Sequence, residues 1–186
     1  MNPAAALVLL SVAALLTSCG TDPTRQSDTG APEFAGGASG SSASGHVEHD
    51  IEGCCVEKYS FEAHYLGDGS LHGSFNVRDL FTDGSEKAWA KGRVTCFTVE
   101  ADGKTARMGG VVESASDPIV GTEAVWTVRD NGEGQNDPPR DQATDLIWGI
   151  PPRFNAAQRH CTPPGFPPGA FNKFGESERG NVQVRP

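Results

Sequence analysis

Basic side chains are scarce in this 186-residue chain: Lys and Arg number 15 against 24 Asp and Glu, a formal charge of −9. With no basic field to attract phosphate, binding to nucleic acid is not expected, nor is adhesion to an anionic membrane by charge. Aromatic residues are few, at 8% of the chain. Amphipathic helical runs are missing. No window carries apolar residues at a 3.6-residue period between caps, and 23 Gly and 13 Pro interrupt helix interiors throughout. A helical bundle is therefore excluded. The sequence has no CxxC pair and no GxSxG, SxxK or HExxH motif. That removes the common zinc modules and the motif-bearing hydrolases. No run beyond residue 16 is apolar enough for a membrane-spanning helix.

What is present begins with an apolar run over residues 4–16 (AAALVLLSVAALL), broken only by Ser11. It is shorter than the roughly 20 residues a spanning helix needs and suits the apolar region of a signal peptide. No Lys or Arg precedes it. The run ends in Leu16, Thr17, Ser18 and Cys19. This resembles the lipobox of bacterial lipoproteins, an apolar residue and two small ones before cysteine. The resemblance implies a signal peptide over 1–18 and a Cys19 that carries a diacylglycerol and becomes the mature N-terminus. Acyl chains such as palmitate hold a protein to a membrane through about 0.8 kcal/mol per buried methylene. It also implies export and a partnership with the membrane through lipid. In a diderm host the outer membrane is the expected address, because Gly20 stands where retention at the inner membrane favours Asp.

Residues 19–45 read as the lipidated cysteine and a tether. From 20 to 45, 20 of 26 residues are Gly, Ser, Thr, Ala or Pro, and Phe34 is the one large apolar side chain. Such a segment cannot bury enough surface to offset its ordering entropy, and its r.m.s. reach is roughly 28 Å. The remaining 46–186 read as a single domain.

Within that domain the signal is period 2. Tyr59, Phe61, Ala63 and Tyr65 alternate with polar residues, and so do Leu71, Gly73, Phe75 and Val77. The Leu66–Gly69 turn between them predicts a hairpin. Further strands are predicted over 87–99, bent at Gly92, then over 105–113, 122–129, 145–150 and 181–185, with a tight turn at Asp102 and Gly103. The expected fold is all-β: a small antiparallel meander closed as a barrel or folded as a two-sheet sandwich, with a Pro/Gly-rich C-terminal loop. That loop, 151–180, holds six prolines together with Phe154, Phe166, Phe171 and Phe174, which should pack it on the sheet. The stretches 92–112, 125–142 and 180–184 resemble secreted or lipid-anchored bacterial β-proteins of no assigned activity. That likeness implies fold and location only.

Setting aside Cys19 leaves Cys54, Cys55, Cys96 and Cys161, an even set in an exported domain and so candidate disulfides. Adjacent cysteines in a strand point to opposite faces, which favours separate partners for Cys54 and Cys55, or a free pair beside a Cys96–Cys161 bridge. The preferred partner for Cys161 is Cys96. No cofactor and no metal is expected. In reserve as donors stand Asp130, Glu133 and Asp137 in the loop 130–142, and His46 and His49 before Cys54. The loop fails the EF-hand spacing, with Gly132 and Gly134 at its third and fifth positions. His64 and His72 are expected to line a sheet face, and Trp89, Trp126 and Trp148 to be core. The expectation for function is a lipid-anchored envelope protein that displays a β-domain for binding, adhesion or structure, without catalysis, to a protein or glycan partner. The alternatives are a small ligand-binding barrel lined by the tryptophans, and a metal-binding or enzymatic domain.

Overall fold

The computed structural model describes residues 40–51, 54–132, 140–166, 175–176 and 179–186. The signal segment, Cys19, Phe171 and Phe174 lie outside them. Ten antiparallel strands form one sheet: β1 (Ser42–Ile51), β2 (Cys55–Tyr65), β3 (Leu71–Leu80), β4 (Glu86–Val99), β5 (Thr105–Ala115), β6 (Glu123–Arg129), β7 (Gln142–Ala143), β8 (Ile147–Ile150), β9 (Gly175–Glu176) and β10 (Arg179–Arg185). Their order is β10-β1-β2-β3-β4-β5-β6-β7-β9, with β8 paired to β6. The domain is all-β as expected, and the sheet is curled strongly, like half a barrel. Among the described residues no helix is long and apolar enough to cross a membrane.

The β2–β3 and β3–β4 hairpins follow from turn chemistry. Gly69 and Gly84 take φ of 81° and 83°, a region that only glycine enters freely. Before each glycine an aspartate locks the turn. Asp68 Oδ1 accepts from Ser70 N at 2.8 Å and Ser70 Oγ at 2.6 Å, and Asp83 does the same for Ser85 at 2.9 and 2.6 Å. These bonds, the serine hydroxyl's first, hold both carboxyls below their ordinary pKa.

One face of every long strand lines the inside of the curl. Trp126 is fully buried there, its ring 6.2 Å from Phe61 and 5.3 Å from Phe75. Burying an aromatic of this kind stabilises by about 4–6 kcal/mol before entropy is counted. Phe75 needs glycines opposite it. A Cβ on Gly92 would come within 2.6 Å of the ring, and one on Gly110 within 2.8 Å. The bend anticipated at Gly92 is a register shift between Lys91 and Gly92, and a second shift falls between Val94 and Cys96. That second irregularity re-aims the chain: Val94 and Phe97 join the inner core, while Cys96 belongs to a separate cluster with Ala157 and Cys161.

Three expectations need correction. The domain does not begin at 46: β1 starts at Ser42, so 42–45 of the segment read as tether are strand. At Gly45 small size reflects packing. A Cβ on Gly45 would stand 3.0 Å from Val182 Cα and 3.2 Å from the Phe61 ring. The 151–180 stretch is not all loop, since a 3-10 turn (Pro152–Phe154) leads into α1 (Ala156–Cys161). Six residues are too few to display a helical period. Of the tryptophans, Trp126 is core and Trp148 packs on it partly buried. Trp89 alternates with the inward-facing Ala90 and lies 5.7 Å beneath the Lys91 ammonium.

The helix docks on the outer face of β4–β6. Cys96 and Cys161 are disulfide-bonded, as preferred from the sequence. Gly109 lets the helix approach, because a Cβ there would lie 2.7 Å from Ala157 Cβ. Glu123 Oε2 accepts from Ala156 N at 2.7 Å. His160 is fully buried, with Nε2 3.0 Å from both Trp126 O and Thr127 Oγ1. Burial lowers its pKa to about 4, against the bond to Trp126 and with the charge of Arg107, so the ring is neutral at pH 7. Phe166 stacks on His160 at 5.7 Å, so this part of the loop does pack on the sheet, whereas Phe154 stays exposed.

The free flank of β10 meets the residues that follow β6. Val182 N donates to Asp141 Oδ2 at 2.8 Å and Val184 N to Asp130 Oδ2 at 3.0 Å. Asp141 Oδ1 also accepts from Asn131 N at 2.9 Å. Among the described residues, two carboxylates thus join this seam.

Candidate functional site

The inner face of the sheet carries one charged layer. His49 pairs with Glu57 across β1 and β2, and Glu57 pairs with Asp79 across β2 and β3. All three sit in the inward phase of their strands, on the same stripe as Val47, Tyr59 and Val77. A register shift at Asp79/Leu80 marks the end of the layer. The fourth member, Asp145, arrives from the segment between β7 and β8. That segment is anchored from both sides: Tyr59 OH donates to Thr144 O at 2.8 Å, and Leu146 N donates to Glu57 Oε1 at 2.9 Å.

His49 Nε2 lies 2.8 Å from Asp145 Oδ1 and 3.3 Å from Glu57 Oε1. One donor atom from each of the three residues falls within 4.8 Å of the others. His49 and Glu57 are buried, and Asp145 is half exposed. The carboxylates stand beside the imidazole nitrogen and off the line of its N–H, so Nε2 makes no aligned hydrogen bond. Asp79 Oδ1 is likewise buried without a hydrogen-bond partner.

The electrostatics are those of a site short of positive charge. Burial disfavours charge on His49, but its contacts with Asp145 and Glu57 outweigh that and raise its pKa to about 9. Burial raises Glu57, against His49 and the Leu146 amide. Burial also raises Asp79, with Lys87 opposing and Asp145 reinforcing. Tyr59 meets the His49 ring edge-on at 6.1 Å. Its hydroxyl is pushed far up by burial and then by the charges of Glu57 and Asp145, and it is committed to Thr144 O. It is therefore no nucleophile. The layer holds charge and is suited to holding a cation.

Of the donors held in reserve from the sequence, His49 belongs to this layer. His46 is exposed, in the opposite phase of β1. Asp130 is spent on the seam, its carboxylate taking Val184 N and Gly132 N. Glu133 and Asp137 lie outside the described residues. Cys54 and Cys55 do not seek separate partners and are not a free pair: they are bonded to each other, with Lys87 Nζ 2.8 Å from Cys54 Sγ. The reason is placement. Cys54 sits in the turn and only Cys55 in the strand, so strand alternation does not separate them. His64 and His72 do face each other across β2 and β3, their rings stacked at 6.1 Å.

Glu57, Asp79 and Asp145 were not singled out from the sequence. The available signal was Glu57, a carboxylate in phase with the Tyr59–Phe61–Ala63 stripe. No protein-family model, no curated protein and no solved structure matches the chain.

Proposed function

We propose that this chain is an exported lipoprotein of a bacterial cell envelope, anchored through acyl chains on Cys19, whose β-domain is displayed for binding, adhesion or a structural role without catalysis. Support for the anchor is the LTSC tetrad placed directly after a 13-residue apolar run. In this reading the curled sheet works as a barrel whose last seam is closed by the Asp130 and Asp141 carboxylates instead of by strand pairing.

The observation that carries a display role is where space exists. The inside of the curl is filled by Trp126, Phe61, Phe75 and Met108. Among the described residues a groove of about 470 Å³ opens over the middle strands, its polar lining Ser60, Glu62, Ser74, Asn76, Lys91 and Glu113 and its floor Phe61 and Phe75. A shallow polar groove suits the hydroxyls and amides of a glycan or an extended peptide. The filled interior weighs against a ligand-binding barrel. The test of the anchor is Cys19→Ser in the native host. Acyl labelling should vanish and the protein should leave the membrane fraction; retention of the variant on membranes would sink the proposal.

A further inference from the structure

We propose that His49, Glu57 and Asp145 bind one divalent transition-metal cation, with Asp79 completing the charge of the site. Three observations carry this. The first is charge. Glu57 and Asp79 share the inward layer with His49, and the half-exposed Asp145 closes its open side, so acidic side chains gather around a single imidazole where burial makes unpaired charge costly. A divalent cation offsets that charge.

The second is the geometry around Nε2. Ligands that share a cation at about 2.0–2.1 Å stand about 2.9 Å apart at a right angle and about 3.4 Å apart at a tetrahedral angle. The nitrogen-to-oxygen separations here are 2.8 and 3.3 Å. Around such a cation a neighbouring ligand also lies about 35–45° off the axis of the ring nitrogen. Two close oxygens and no aligned hydrogen bond at Nε2 agree with that arrangement. An ordinary histidine–carboxylate pair would place one oxygen in line with the N–H.

The third observation is the orphaned Asp79 Oδ1, buried and unpartnered next to Glu57 in the register. Asp79 is outside the three-residue ligand set and adds a buried acceptor beside Glu57. One imidazole with carboxylates suits zinc or manganese, whereas calcium prefers a set made wholly of oxygen. A bound ion would join β1, β2 and the segment between β7 and β8, three parts of the chain that are far apart in sequence.

The test uses the full chain, stripped with chelator and titrated with Zn²⁺ by calorimetry. One ion per chain is expected. Asp145→Asn and His49→Gln should each weaken binding by about tenfold or more. Asp145 is half exposed, so its variant should still fold and melt cooperatively in chelator, at a somewhat lower temperature because His49 loses a partner, which separates loss of a ligand from loss of the fold. The stacked pair of half-buried His64 and exposed His72 is the competing site, and His64→Ala/His72→Ala should bind as wild type does. Absence of stoichiometric Zn²⁺ binding at micromolar concentrations would overturn the proposal. So would unchanged affinity in the folded Asp145→Asn variant, loss of binding in the His64/His72 variant, or tighter binding of Ca²⁺ than of Zn²⁺.

Discussion

Replacing Asp141 with alanine tests whether two carboxylates hold the seam between β10 and the chain after β6. Asp141 is buried and accepts two backbone amides, Val182 N at 2.8 Å and Asn131 N at 2.9 Å. The Val182 amide is buried, so losing its acceptor should cost about 1–3 kcal/mol. Asn131 is half buried, and water can replace part of its bond. The total expected is therefore about 2–4 kcal/mol, a fall in melting temperature of about 6–12 °C for a domain of this size. Asp141→Asn should fall in between, because its amide oxygen still accepts one bond. Urea denaturation measures the loss. Hydrogen exchange locates it: Val182 should lose protection well before the amides shared by β2 and β3. A loss under 1 kcal/mol, with Val182 protection unchanged, would refute the reasoning and leave the seam to side-chain packing alone.

Two further outcomes follow from the outer face. Cys96 and Cys161 close a loop with a sequence separation of 65, so Cys96→Ser/Cys161→Ser should destabilise the domain by about 4 kcal/mol on the loop-entropy model. Peptide mapping without reduction should recover the two cysteines linked, and a freely alkylated Cys161 would contradict the staple. His160 supplies a pH dependence. Its folded pKa is about 4 against 6.5 for the model group, so its stabilising contribution is full above pH 6.5 and is lost as pH falls towards 4, by up to about 3 kcal/mol. Arg107 is the charge acting on it. His160→Gln should flatten the stability profile between pH 4 and 6.5, and an equally steep fall in that variant would show that other groups set it.

How legible the molecule was in its sequence depends on how local each signal is. β2 and β3 announce themselves because Tyr59, Phe61 and Ala63 face a core on one side and water on the other. The Asp-Gly-Ser turns are legible because each is complete within three residues. β1 was hidden by composition: Ser42, Ala43, Ser44 and Gly45 look like linker, yet Ala43 is core and Gly45 is what fits between β10 and the Phe61 ring. The Cys96–Cys161 bridge was legible through the even number of cysteines left after Cys19 and the expectation of export, whereas the bond between Cys54 and Cys55 depended on a turn that strand alternation does not describe. The charged layer was least accessible. His49 and Glu57 become neighbours only once β1 is known to be a strand, and Asp145 reaches them through the path of the whole sheet.

The position of β1 has a mechanical consequence. The chain enters the described domain at Ser42, whose register partners are Arg185 on β10 and His64 on β2. A pull delivered from the residues before Ser42 therefore runs along the axis of a strand held on both flanks. It meets seven register pairs on the β10 side and ten on the β2 side. They are loaded together in shear and cannot be opened one after another, as a zipper is. β10 is the weaker flank, since it holds β1 by seven pairs against ten. A protein moored by its N-terminal segment would thus yield first at β10, leaving the β1–β2 hairpin attached to the line.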